Sequence, residues 1–137
     1  MNYVLDASMA LAMLFDDEVT AETEMALDIV AEVGAVVPSL WRLEVANALR
    51  SAALRRRYDI GSLDAMLDQL KQLPISVDGE TDERAWGPTL DLSRTEGLPV
   101  YDAAYLELAL RLDATLLSCD RDLVARARAR GLGVIAP

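Results

Sequence analysis

Short, continuously apolar runs alternate along this chain with longer segments whose apolar residues recur every three or four positions. The runs "NYVLD", "AVVP", "PISV", "ATLLSC" and "GVIA" read as strands, because a strand covered on both faces needs no polar alternation. Between the first two, "TAETEMALDIVAEVG" sets Met25, Ile29 and Val33 at helical spacing and stops at Gly34. Ser39 is placed to cap a helix running to about Arg57, with Trp41, Val45, Ala48 and Ala52 as its apolar stripe. "GSLDAMLDQLKQL" gives another helix on Leu63, Met66, Leu67, Leu70 and Leu73. "TDERAWGPTLDLSRTEG" is helical but should kink at Gly87-Pro88. "YDAAYLELALRLD" and "RDLVARARARG" complete the helical segments.

Strands alternating with helices predict an α/β sandwich on a mostly parallel sheet. No linker, repeat or low-complexity tract interrupts the chain, so residues 1–137 are expected to form one domain. No apolar run approaches the roughly 20 residues that span a bilayer. Asp6 breaks the N-terminal apolar stretch and no basic region precedes it, which argues against a secretory signal. Cys119 has no partner for a disulfide, and a cytoplasmic protein is expected.

Charge narrows the chemistry. The net charge of −10 disfavours a passive nucleic-acid binder, though not an enzyme that meets nucleic acid through bound cations. Of the 13 basic residues 12 are Arg, clustered at Arg55, Arg56 and Arg57 and at Arg126, Arg128 and Arg130. With no His, a metal site would rest on oxygen ligands, which suits Mg2+ or Mn2+ better than Zn2+.

Asp6 poses the sharpest question, because an unpaired carboxylate at the end of a core strand is costly. In open parallel sheets ligands gather beyond the carboxyl ends of the strands. Asp6 and Asp120 each follow a strand, Asp102 opens a helix, and Glu44 borders the apolar stripe near the start of another. Four acids at one edge repel one another unless cations join them, and one or two divalent ions are common apparatus for phosphodiester hydrolysis. Each acid also has a plainer reading. Asp102, Asp120 and Asp122 could cap helices, and Glu44 could pair with a surface Arg. Asp6 precedes no evident cap, so the joint placement carries the argument. Asp16, Asp17 and Glu18 read as a solvated loop, and Glu22, Glu24, Asp28 and Glu32 as a solvated helix face.

"VLDASMAL", "PSLWRLEVANAL", "VYDAAYLELAL" and "LLSCDRDL" together resemble the four motif blocks of PIN domains, specifically the VapC-like toxins of type II toxin–antitoxin systems. The blocks occur in order and span nearly the whole chain. The resemblance implies a three-layer α/β/α sandwich around a mostly parallel, doubly wound sheet of about five strands. It implies catalytic, metal-binding carboxylates at Asp6, Glu44, Asp102 and Asp120, holding one or two Mg2+ or Mn2+ ions, with Asp122 as an alternate ligand. Ser8, Asn47 and Ser118 match supporting polar positions. The implied activity is metal-dependent endoribonuclease cleavage, with RNA as substrate, a cognate antitoxin as inhibitor and a homodimer as assembly. Arg42, Arg121 and the Arg55–Arg57 cluster are the candidate phosphate contacts. Cys119 reads as a small buried residue, and Tyr101 and Tyr105 as site walling or core. The alternatives are a nuclease for DNA or structured ends and a catalytically silent assembly module. A phospho-acceptor receiver lacks its late-strand Lys, since Lys71 lies in a helical segment, and a dinucleotide fold lacks its Gly-rich turn.

Overall fold

A computed structural model describes residues 1–137. Five short strands form one sheet: β1 (Tyr3–Leu5), β2 (Ala35–Val37), β3 (Ile75–Val77), β4 (Thr115–Leu117) and β5 (Val134–Ile135). All pairings are parallel and the order is β3-β2-β1-β4-β5. The order reverses at β1, so β1 and β4 flank the topological switch point where doubly wound sheets open a crevice. Val4 pairs with Val36 on one side and Leu116 on the other. Val4, Leu5, Val37, Leu116 and Leu117 are completely buried, as strands with helices on both faces require.

The helices are α1 (Ala7–Ala12), α2 (Ala21–Val33), α3 (Trp41–Leu54), α4 (Ile60–Gln72), α5 (Thr81–Arg84), α6 (Leu90–Glu96), α7 (Val100–Leu112) and α8 (Arg121–Ala129). α1 packs on α2 and α3, and α3 on α4; α7 packs on α6, α8, β1 and β4. These two groups are the outer layers of a three-layer α/β/α sandwich. At Gly87-Pro88 the expected kink is one widened π-helical turn, Ala85–Thr89. Proline has no N–H for the regular ladder and would clash one turn back, and the wider turn absorbs both effects. Gly34 ends α2 at φ +82°, where an added Cβ would stand 2.6 Å from the Pro74 carbonyl oxygen. Glycine is required there for both conformation and space.

Three local expectations are corrected, and one helix comes in addition to those expected. On α2 the buried residues are Thr23, Ala26 and Val30, whereas Met25 and Val33 of the expected stripe are 51% and 62% exposed. The helix carries two apolar rows, and the row of smaller residues is the buried one. Ser39 does not cap α3: Leu40 holds that position, and the Ser39 hydroxyl donates to Asp82 instead. α3 ends at Leu54 rather than Arg57, and its buried residues are Trp41, Val45, Leu49 and Ala52. α1, which no periodicity announced, starts immediately after β1 and is too short for a sequence period to reveal. No helix is long and apolar enough to cross a membrane.

Candidate active site

β1 ends and α1 begins at Asp6, and the junction explains the carboxylate there. Asp6 is the N-cap of α1: its Oδ1 accepts the Met9 N–H at 2.9 Å and the Ser8 hydroxyl at 2.7 Å. This corrects the expectation that Asp6 caps nothing. Its other oxygen, Oδ2, accepts the hydroxyl of Ser118, which is completely buried just after β4. The same Ser118 oxygen accepts the Asp120 N–H at 3.0 Å, and the Ser8 oxygen accepts the Cys119 N–H at 3.0 Å. The ends of the two central strands are thus joined by a small mesh of hydroxyls around one carboxylate.

The remaining acids stand around that mesh. Asp120 is the N-cap of α8, accepting the Leu123 N–H at 3.0 Å. Asp122 follows in the first turn and is exposed. Glu44 sits in the first turn of α3 and accepts a hydrogen bond from Tyr105 of α7, whose ring is buried. Asp102, in the first turn of α7, is half-buried and not a cap, since Pro99 holds that position. Both α3 and α7 begin at the carboxyl edge of the sheet, which brings Glu44 and Asp102 to the side where Asp6 and Asp120 lie.

The electrostatics report the crowding. Burial, only partly offset by the hydrogen bonds from Ser118, Met9 and Ser8, holds the Asp6 carboxyl up at about 6. Asp102 is also held up at about 6, by burial first and then by the charges of Asp120, Glu44, Asp6 and Asp122. Glu44 is raised by burial against the opposing Tyr105 bond, and Tyr105 is raised by burial and by Glu44. Cys119, half-buried, has its thiol pushed up to about 11 by burial and the Asp6 charge, which makes it a poor nucleophile or ligand.

A divalent ion suits this donor set in kind: the ligands are hard oxygens, no His or second Cys competes, and the acids repel one another. In this arrangement no three acidic side chains are close enough to share one ion. Protein donors hold Asp6, Glu44 and Asp120 instead.

The other expected residues fall in different places. Asn47 is exposed on α3 and lines a cleft with Ser8, Ser51 and Arg55. Arg42 lines a separate, mostly apolar groove between α3 and α4 with Trp41 and Leu70. Arg121 lies near Arg128 and the C-terminal Pro137 in a third depression. Arg57 is held by Asp17 and Glu18 and lies over the Phe15 ring. Tyr105 as a partner of Glu44 was not anticipated. The signal was present, because a residue three after Asp102 lies on the same side of the helix.

The PIN domain family model matches residues 3–129. Ribonuclease VapC3 of Pyrobaculum aerophilum is 30% identical over 130 residues, covering 92% of this chain and 95% of that protein. The crystal structure of PAE2754 from Pyrobaculum aerophilum superposes with a TM-score of 0.72 at 25% identity, over 99% of this chain and 90% of that one. VapBC2 from Rickettsia felis, bound to a DNA fragment from its promoter, shares the fold with a TM-score of 0.66 at 15% identity, covering 100% of this chain and 99% of the other.

Proposed function

The chain belongs to the PIN domain family, in its VapC-like branch, and from that premise we propose that it is a metal-dependent endoribonuclease toxin held inactive by a cognate antitoxin. The carrying observation is at Asp102, a half-buried acid that feels the charges of Asp120, Glu44, Asp6 and Asp122 together. Such a cluster has an excess of negative charge that a divalent cation would relieve.

Asp6, Glu44, Asp102 and Asp120 would hold one or two Mg2+ or Mn2+ ions, with Asp122 at the margin. Bound there, the metal would activate water and offset charge on the phosphate oxygens. The chain's own residues do the positioning. Ser8, Ser118 and the Met9 N–H fix both oxygens of Asp6, and the Tyr105 hydroxyl fixes Glu44. The Leu123 N–H orients Asp120. These bonds orient each acid separately, and because no three acids converge on one point here, taking up an ion would turn their side chains toward it.

The same negative cleft suits an inhibitor segment that inserts a basic side chain among the acids. The named relatives support this reading: one is called a ribonuclease, and another is part of a VapBC complex. We further assign residues 1–137 to one PIN domain acting as a homodimer in the cytoplasm. The test is cleavage of RNA by purified, antitoxin-free protein in Mg2+ or Mn2+, in EDTA, and with Asp102→Asn. Discrete cuts that require both the metal and Asp102 are expected. Cutting that persists in EDTA or without Asp102 would overturn the assignment.

A further inference from the structure

The cleft between α1 and α3 runs from Ser8, whose hydroxyl bonds Asp6, to the unpaired guanidinium of Arg55. Glu44, Ala48, Ser51 and Arg55 recur every three or four residues, so they stand on one face of α3 and of the turn that closes it. Ser8 and Leu11 of α1, with Phe15 beyond it, form the opposite wall, and Asn47 flanks the α3 side. Ser8 is the residue whose hydroxyl bonds Asp6, so the upper end of the cleft adjoins the acid cluster. At about 1.5 Å per residue, Arg55 lies about 16 Å along the helix axis from Glu44.

The cations of the chain differ in availability. Arg55 is exposed and takes part in none of the ion pairs. Arg57, at the same end of the cleft, is committed to Asp17 at 2.5 Å and Glu18 at 2.7 Å. Arg57 offsets one of the two acid charges there, Glu18 included among the cleft's walls, and the Arg55 guanidinium is left without an ion-pair partner. Arg42 is thirteen residues before Arg55, which puts it on the far side of α3, in the apolar groove.

Resting on the ribonuclease reading, we propose that the α1–α3 cleft is the track for the sugar–phosphate backbone of single-stranded RNA, with Arg55 as the phosphate contact at its far end. Arg55 is the one cation lining the cleft outside an ion pair, which suits contact with one phosphate backbone rather than with the two of a duplex. Asn47 and Ser51 supply neutral hydrogen-bonding groups between the two ends. On a chain of net charge −10, a polyanion needs a local cation to hold its register, and Arg55 is the one that faces this cleft without a partner.

The test measures binding of a fluorescent single-stranded oligoribonucleotide in Mg2+ to protein carrying Asp102→Asn, with Arg55→Ala, Arg55→Glu, Arg55→Lys or Arg42→Ala added. Arg55→Ala is expected to weaken binding about fivefold or more at low salt. It should reduce the slope of log affinity against log salt by about 0.7, the value of one phosphate contact on a single strand. Arg55→Glu should weaken binding further, Arg55→Lys should retain most of it, and Arg42→Ala should leave affinity and slope unchanged. An unchanged affinity in Arg55→Ala and Arg55→Glu, or an equal loss in Arg42→Ala, overturns the track. Cleavage by the protein with Asp102 intact is measured alongside. No cleavage but Arg55-dependent binding would sink the ribonuclease reading and leave the track standing, whereas no RNA binding by any form would sink the track itself.

Discussion

Tyr105 of α7 donates its hydroxyl hydrogen bond to Glu44 of α3, joining helices whose residues are 61 positions apart in the chain. The ring belongs to the core and the hydroxyl to the acid cluster. Tyr105→Phe therefore separates the two roles. Packing is kept, and the loss of one hydrogen bond to a charged group should cost about 1–2 kcal/mol of stability. With Glu44 less well oriented, RNA cleavage should fall several-fold, while Glu44→Gln should remove it almost completely. Thermal unfolding and cleavage assays on both variants check this. Equal activity losses in the two would mean that the hydroxyl does more than orient Glu44.

Ser118 and Asp6 make the second prediction. Ser118→Ala leaves Oδ2 of a buried carboxylate and the Asp120 N–H without their shared partner. An unpaired buried polar group costs about 1–3 kcal/mol, so a clear fall in denaturation midpoint is expected, with reduced activity. Asp6→Asn should behave in the opposite way in the metal-free protein. Asn is a good N-cap residue, and the substitution removes a charge that burial penalises. The variant should be at least as stable as wild type near pH 7 and inactive. Urea unfolding in EDTA decides it, and a large loss of stability would show that the charge itself holds the strand ends together.

Much of this arrangement is legible in the sequence. The strands are apolar runs closed by Pro, Gly or Asp, and parallel sheets of this kind bury both faces, so length and composition were enough. Gly34 and Gly87-Pro88 announced their breaks because their backbone limits hold in any fold. What stayed hidden depended on the partner surface. α2 carries two rows of apolar residues, and only packing chooses Thr23, Ala26 and Val30 over Met25, Ile29 and Val33. The capping of Asp6 was hidden because α1 is too short to show a period. Ser39 was misassigned because it is a good cap by type, yet the chain turns first and gives its hydroxyl to Asp82. The placement of the four acids on one side of the sheet was legible, since each follows a strand or lies in the first turn of a helix. Which protein donors hold each one was not, because those donors come from elements far away in sequence.

Away from the site, Arg111 gathers three acids. It reaches Asp78 at 2.8 Å, Glu107 at 3.0 Å and Glu80 at 3.1 Å, with Arg84 also on Glu107. The Asp78 and Glu107 side chains are 9% and 7% exposed, so Arg111→Ala would leave two nearly buried carboxylates short of their partner. Breaking a buried ion pair from one side costs about 3–5 kcal/mol, and this variant should lose stability on that scale. Activity per folded molecule at low temperature should be retained, because none of these residues belongs to the acid cluster. Calorimetric unfolding with a matched cleavage assay tests both halves. Retained stability would show that water replaces the guanidinium at little cost.

The final prediction concerns pH and reverses the usual direction for carboxylates. Burial holds Asp6 at about 6 in the folded chain, against 3.8 for a free side chain. Between those values the folded protein keeps a proton that the unfolded chain has released, so stability falls as pH rises through this window. At about 1.4 kcal/mol per unit the effect for Asp6 is about 3 kcal/mol. Asp102, held up at about 6 as well, acts in the same direction but more weakly because it is half-exposed. Asp78, lowered by Arg111, has the opposite sign, and its contribution is lost only as pH falls below the ordinary carboxylate range. The metal-free protein should therefore have a higher urea midpoint at about pH 5 than at about pH 7.5. Asp6→Asn should flatten most of that slope, and Mg2+ or Mn2+ should raise the midpoint at the higher pH by occupying the acids. A wild-type midpoint that rises with pH in EDTA would mean that Asp6 and Asp102 are already compensated by the protein, and the case for a cation among them would lose its electrostatic basis.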